Sequence, residues 1–438
     1  MRHYITQDTS RTVALFLNDF DQEYADALEK LSSQLRRKLQ GIVLVDSRVL
    51  HEGRNTPDTA KVFAQLSCDF DNPAELRRTI KKIENKLLLV TCSSERNQPY
   101  LKRLLPHVSA LYGPTETSLE WATHKGQMRK LLEAYDEKLI PRVMAIKEYS
   151  DVAIHNLIQR LSFPVIIKPT GLAASMLVSK AHNIIELKAM LKSGFRIIND
   201  IYERDTGRGQ PGFIVEEFIE GEMYSVDAYV DDIGTVMFLP LLRSKTAHSQ
   251  GKDGFYIYQA DSYTTLTAAE KHAGQEAAES AIHALGLRSC VAHVELFKTS
   301  HGWKIVELGP RAGGLRQDVY WVAYGIDHAL NELRVKIGLK PQLAQEPIAY
   351  ATTINIYPEQ EGIITQIIGY EEALKNPSVY KLKLQAQPGE LALLSGNGGK
   401  IIIRGVMHNK DLSELEKDAA YVRSILAVHT QPVEVLNA

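Results

Sequence analysis

Residues 289–314 read SCVAHVELFKTSHGWKIVELGPRAGG, and the reading of this stretch decides the fold. Residues 291–297 and 303–308 are β-rich runs around Ser300-His301-Gly302, and a three-residue loop with glycine last is a favoured hairpin connection. If Thr299 pairs with Trp303, Glu295 falls directly opposite Glu307. Both carboxylates then share a face with His293, because side chains alternate with period two. Like charges so placed repel unless one is protonated or a cation lies between them. A divalent metal resolves the conflict: two oxygen ligands and no thiolate suit Mg²⁺ or Mn²⁺, with substrate phosphates completing the shell. The plainer alternative is a solvent-facing sheet with two unrelated glutamates. Arg311 lies two alternations past Glu307, so a continuing strand aims it at the same place, where a cation can stabilise a phosphoryl or acyl group in transfer. Gly313-Gly314 then lets backbone approach closely.

Working outward, residues 166–169 (IIKP) end a strand in Lys168, and the small-residue run 170–175 holds Gly171 and Ser175. A lysine beside backbone N–H groups and a serine can cradle phosphates, although a surface lysine is the commoner occupant of a strand end. Residues 215–219 (VEEFI) are an extended run whose backbone can pair an adenine edge while an acidic side chain reaches ribose hydroxyls; alone it is an ordinary strand. Lys125 lies near the start of a helix in residues 121–143.

The chain has 438 residues, which favours two to four domains. Lys and Arg total 51 against 53 Asp and Glu, a balance that argues against a nucleic-acid or anionic-membrane binder. The three cysteines, Cys68, Cys92 and Cys290, form no Cys-x-x-Cys pair, which fits a reduced, cytoplasmic setting. The opening MRHYITQDTSRTVALFLNDF has no cleavage signature, and no run approaches the roughly 18 apolar residues of a membrane span. Neither export nor membrane insertion is expected.

Residues 11–113 alternate apolar runs with amphipathic stretches: a strand at 11–19, a helix at 22–39, a strand at 41–47, a helix opening at Asn72-Pro73, a strand at 86–94 and a helix at 99–105. That alternation implies a parallel, doubly wound layer whose ligand loops, such as Asn18-Asp19 and 91–96, follow the strands. Residues 338–346 read as a linker, and 347–426 as a small α+β module. Residues 207–212 spell G-x-G-x-x-G, but a strand follows them and Pro211 sits inside, so they read as a loop and not a dinucleotide fingerprint. P-loop, zincin and nucleophile-elbow motifs are absent.

The order of the pieces is specific. A lysine-bearing helix, V-I-I-K-P with a small-residue loop, E-E-F-I-x-G, H-x-E and V-E-L-G-P-R-x-G-G together resemble the ATP-grasp superfamily over residues 115–335. The resemblance is closest to its carboxylate-amine ligase branch, of the L-amino-acid ligase kind. It implies an α/β and α+β multidomain chain: an N-terminal doubly wound α/β domain (1–115), the ATP-grasp domain (116–340, small lobe about 150–228, large lobe about 229–340) and a C-terminal α+β module (345–438). It also implies ATP and Mg²⁺ (or Mn²⁺) as cofactors. Lys125 and Lys168 correspond to the lysines on ATP phosphates, Ser175 to the covering loop, and Glu216, Glu217, Phe218 and Ile219 to the adenine hinge. Glu295 and Glu307 correspond to the metal-binding acids, Arg311 to the arginine at the acyl phosphate, and Lys245, less well Arg243, to a further phosphate contact.

Three departures stand out. The ribose acid expected two residues past the hinge glycine is Met223, with Glu222 one earlier, and the asparagine expected two past the second metal acid is Gly309. The covering loop holds only Gly171 where relatives are richer in glycine. The implied activity is ATP-dependent amide formation through an acyl phosphate, from small-molecule carboxylate and amine substrates such as amino acids, by a homodimer. Alternatives are a biotin-carboxylase-like or purine-pathway ligase and a non-catalytic ATP-binding regulatory module.

Overall fold

The computed structural model describes residues 8–48, 62–172, 175–204, 210–252, 254–344, 346–397 and 399–432. β1 (Val13–Leu17), β2 (Gln40–Asp46), β3 (Ala64–Cys68) and β4 (Leu87–Thr91) form a wholly parallel sheet in the order β3-β2-β1-β4. β1 and β4 are buried at every position, as strands covered on both faces must be. Asp21 caps the helix Gln22–Leu35 through Tyr24 N, and Asn72 caps Pro73–Lys81 through Glu75 N. The first helix ends before the expected Leu39, because Arg36 turns left-handed and satisfies the last carbonyls.

The strand order reverses between β1 and β4, where a doubly wound sheet opens its crevice. The loops after those two strands meet there: Asn97 Nδ2 donates to Asp19 Oδ2 (3.0 Å), and Ser93 Oγ donates to Asp19 Oδ1 (3.3 Å). Burial, together with the charge of Asp21, pushes the Asp19 carboxyl up to about 7.

The second layer contains β5 (Val143–Ile146), β6 (Val165–Pro169), β7 (Ser179–Ala181) and β8 (Phe213–Glu217), antiparallel in the order β5-β8-β6-β7. Leu187, Leu191 and Ile198 of the helix Ile184–Arg204 pack under it with Ile154 and Leu157 of Asp151–Ile158. Residues 205–209, which include the first three positions of the G-x-G-x-x-G run, lie outside the described residues, and β8 follows at Phe213.

The largest sheet takes β9 (Glu222–Val230), β10 (Val236–Phe238), β11 (Leu242–Thr246), β12 (Ile257–Asp261), β13 (Cys290–Thr299) and β14 (Gly302–Gly309). β9 pairs with β13 along its length, so the passage between the two sheets falls at residues 218–221 and not near residue 228. The sheet does not stop at the linker. β15 (Tyr350–Ile356) pairs with β12 through Thr352 and Asp261. β16 (Gly362–Ile368), β17 (Val379–Leu384), β18 (Leu391–Ala392), β19 (Ile403–Asn409) and β20 (Ala427–Gln431) follow. The order is β14-β13-β9-β11-β12-β15-β19-β17, with β10 paired to β9 off this path and β18-β16-β20 as a separate sheet.

The N-terminal layer docks on the helix His328–Val335, where Tyr24 OH donates to Glu332 Oε2 (2.6 Å) and Thr91 Oγ1 donates to the same carboxylate. All three cysteines are free and buried. No described helix is long and apolar enough to cross a membrane.

Candidate active site

A cavity of about 320 Å³ lies between the small-lobe sheet and the large sheet. Of the residues singled out in the sequence, Lys125, Lys168, Ser175, Glu216, Glu217, Phe218, Ile219, Glu295, Glu307 and Arg311 line it; Glu222 and Lys245 do not.

The hairpin β13–β14 sets the acidic end. Glu295 stands opposite Glu307, but not through the expected loop. Thr299 pairs with Gly302 and Lys298 with Trp303, so the turn is the two residues Ser300-His301. A bulge then places Val306 as an extra residue on β14 and returns the glutamates to opposition. Lys125 Nζ donates to Glu307 Oε1 (2.9 Å) and to Leu172 O (2.7 Å), supplying a cation beside the paired acids.

His293 Nε2 lies 3.4 Å from Glu295 Oε1, and Nδ1 lies 2.5 Å from Asp227 Oδ1. The chain continues inward: Asp227 Oδ2 meets His328 Nε2 (2.9 Å) and accepts from Gly313 N (2.9 Å), while Tyr229 OH meets His328 Nδ1 (2.8 Å). Burial disfavours charge on Asp227, His293 and Glu295, yet pairing outweighs it. Asp227 is held far below the carboxylate range by His293 and His328. His293 is raised by Asp227, and Glu295 is lowered by His293, with Arg316 and Arg311 assisting.

Among the described residues no group of three or more His, Cys, Asp or Glu forms a metal site. Glu295 and Glu307 offer oxygen donors only. That donor set suits an Mg²⁺ ion whose remaining ligands are phosphate and water.

At the other end, Lys168 Nζ donates to Glu216 Oε2 (2.8 Å) and Arg129 Nε donates to Glu216 Oε1. Glu216 is 1% exposed; burial opposes its ionisation, but Arg129 and Lys168 pull its carboxyl down to about 2. The Glu216 carboxylate therefore anchors Lys168 and is unavailable to a ribose. Glu217 turns to Arg142 Nε (3.0 Å) and Ser162 N (2.9 Å), and its own N–H and that of Phe218 bond Arg142 O and Pro164 O. Phe218, Ile219, Met223 and Phe297 give this end an apolar wall. Ser175, at φ 57°, brings Oγ within 3.4 Å of Phe255 O; residues 173–174 of the same loop lie outside the described residues.

Strand alternation explains the two exceptions. Met223 faces the cavity, so Glu222 faces away, accepting from Arg243 Nη2 (2.7 Å) and Tyr224 OH (2.8 Å). Thr246 lines the cavity, and Lys245 lies off the wall, 3.2 Å from the buried Asp261 Oδ2.

Arg311 reaches the cavity, and Nε donates to Glu95 Oε2 (2.7 Å) of the N-terminal layer. A Cβ on Gly309 would lie 3.1 Å from that same oxygen, so the missing asparagine is the room in which Glu95 stands. Sequence reasoning reached Glu95 only as one position of the 91–96 loop, and missed Arg129, Asp227, Arg316 and Arg404. Arg316 follows the quoted motif by two residues and was within its reach; the others are brought in by long-range pairing that leaves no local mark.

Residues 161–318 match the family model described as an ATP-grasp domain. An uncharacterized protein, y4rH, of Sinorhizobium fredii is 22% identical over 294 residues, 66% of this chain and 57% of that protein. The phosphoribosylamine–glycine ligase of Methanosphaera stadtmanae is 30% identical over 120 residues, 27% of this chain and 26% of that ligase. The chain thus spans little more than half of the first relative and about a quarter of the second. The structure of L-amino acid ligase from Bacillus licheniformis superposes with a TM-score of 0.72 at 17% identity, covering 96% of this chain and 99% of that one, a likeness of fold.

Proposed function

We propose that this chain, whose residues 161–318 match the ATP-grasp domain, is an ATP-dependent carboxylate-amine ligase acting on small-molecule substrates, amino acids foremost. The observation that carries the reading is the opposition of Glu295 and Glu307 beside Lys125, with Arg311 on the same cavity.

A carboxylate oxygen is a poor leaving group, and transfer of the γ-phosphoryl group of ATP to it makes a good one. The carboxylate oxygen attacks the γ-phosphorus, the bond to ADP breaks, and an acyl phosphate results. The amine nitrogen then attacks the acyl carbon, phosphate departs, and the amine proton passes to solvent. Lys125 and Lys168 would bind the phosphates. Arg311, held by Glu95, would face the charge that develops on the acyl phosphate. Glu295 and Glu307 would hold Mg²⁺, which when bound neutralises phosphate charge. The Phe218, Ile219 and Met223 wall would take the adenine ring.

A purine-pathway ligation is the second reading, favoured by the relative named phosphoribosylamine–glycine ligase. A cytoplasmic homodimer completes the proposal, and sedimentation checks the oligomer. ADP release over pooled amino acids, with mass spectrometry of products, tests the whole: a new amide supports the ligase, whereas ATP binding without turnover over any acid and amine pair overturns it.

A further inference from the structure

One corner of the cavity is not used by that chemistry. Gly314, Leu315, Arg316 and Arg404 line it. Arg316 is 4% exposed; Nη2 donates to Ser225 Oγ (2.8 Å), but Nε has no partner among the described residues. Arg404 comes from β19, across the linker, and its Nε also has no partner among them.

Acids nearby are committed elsewhere. Lys381 Nζ holds both oxygens of Asp318 (2.9 and 2.9 Å), and Glu295 faces His293. By contrast, Lys125, Lys168 and Arg311 each have a carboxylate partner. Burial and the charge of Arg316 both work against the charge on Arg404. The helix Arg316–Tyr324 starts here from Leu315 at φ 60° without a side-chain cap, so its first N–H groups add positive potential. A Cβ on Gly314 would lie 2.6 Å from Arg404 Nη2, so glycine admits the guanidinium.

Arg316 is buried and Arg404 half-buried, and neither has a salt-bridge partner among the described residues; Glu295 and Asp318 attract them only from a distance, so an anion in the cavity lowers the cost of the pair. Resting on the ligase reading above, we propose that Arg316 and Arg404 bind a second acidic group of the substrate acid, a carboxylate or phosphate beyond the carboxylate that reacts. Bidentate guanidinium contacts suit both groups. The favoured substrates are therefore diacids.

The test separates this inference from the ligase reading. With ADP and Mg²⁺ present to fill the nucleotide contacts, thermal unfolding is followed in succinate, in inorganic phosphate and in butyrate at equal ionic strength. Succinate or phosphate raises the Tm and butyrate does not, the more effective dianion naming the acidic group; Arg404→Met abolishes the difference while retaining the ADP-induced rise. Gly314→Ala, which keeps every charge and displaces Arg404, does the same should Arg404→Met fail to fold. In turnover, L-glutamate exceeds L-glutamine, and L-aspartate exceeds L-asparagine, by about tenfold in kcat/KM, a preference that Arg404→Met removes and Arg404→Lys partly restores. Dianion-specific stabilisation without turnover of any acid supports the anion corner and sinks the ligase reading. Equal Tm in succinate, phosphate and butyrate, or equal turnover of glutamate and glutamine, overturns the anion corner and leaves the ligase reading in place.

Discussion

Glu95 and Arg311 are joined at 2.7 Å, and the join crosses from the N-terminal layer to the strand end that carries the acidic pair. Arg311 is raised above the ordinary arginine range although burial opposes it, with Glu95 as the leading attraction. The N-terminal layer therefore orients the arginine that would meet the acyl phosphate.

Glu95→Ala should lower kcat/KM for the acid by about ten- to hundredfold, the worth of a charge-assisted hydrogen bond, with ADP affinity unchanged. Gly309→Asn should do similar damage by crowding the Glu95 carboxylate. In a double-mutant cycle the two losses would be non-additive, since both act through Arg311. Additive losses in steady-state kinetics would refute the shared contact.

Glu307→Gln would remove one proposed metal ligand and the partner of Lys125. The expected outcome is a rise of at least about tenfold in the Mg²⁺ concentration for half-maximal turnover, in line with the effect of losing support at a metal site. An unchanged Mg²⁺ titration curve would remove Glu307 from the metal assignment.

Glu216 makes acid stability readable. Its folded pKa of about 2 is below the unbound 4.5, so its contribution, about 3 kcal/mol by linkage, is complete above 4.5 and is lost as pH falls toward 2. Glu216→Gln should flatten stability between those limits. It should also lower stability at pH 7 by about 3–5 kcal/mol, because Arg129 stays buried without its partner. Denaturant melts across pH check both effects.

Asp19 has the opposite sign. Its folded pKa of about 7 exceeds the ordinary 3.8, so stability is highest below 3.8 and declines as pH rises through 7. Asp19→Asn should therefore stabilise the protein at pH 8, by at most about 4 kcal/mol, and leave it near neutral at pH 4. A melt showing no pH-dependent difference between the two proteins would count against this.

Much of the scaffold was legible because its signals are local. The apolar run of β4, the Asn72-Pro73 cap and the hairpin around Ser300-His301 each act within a few residues. The opposition of Glu295 and Glu307 came out right although the turn was misjudged, because the bulge at Val306 restored the residue that the shorter turn removed. Glu222 and Met223 show the limit of that legibility. Alternation fixes faces only once a strand's phase is known, and the phase of β9 is set by its pairing with β13 and β11. Arg129 and Arg404 were invisible, and Glu95 was marked only as part of the 91–96 loop, for a different reason: charges brought together by packing leave no periodicity in the chain.

The rung between Asp261 and Thr352 bears on how this chain can be cut. The proline-bearing linker at 338–346 looks like a natural seam, yet β12 and β15 are adjacent strands of one sheet. Severing the polypeptide there would bare the backbone donors and acceptors of β12 as an open edge, a template for association with other chains. Swapping the tail for that of a relative would have to preserve a hydrogen-bond ladder as well as a covalent join. β15, β19 and β17 of the tail are, in mechanical terms, part of the wall and not an annex to it.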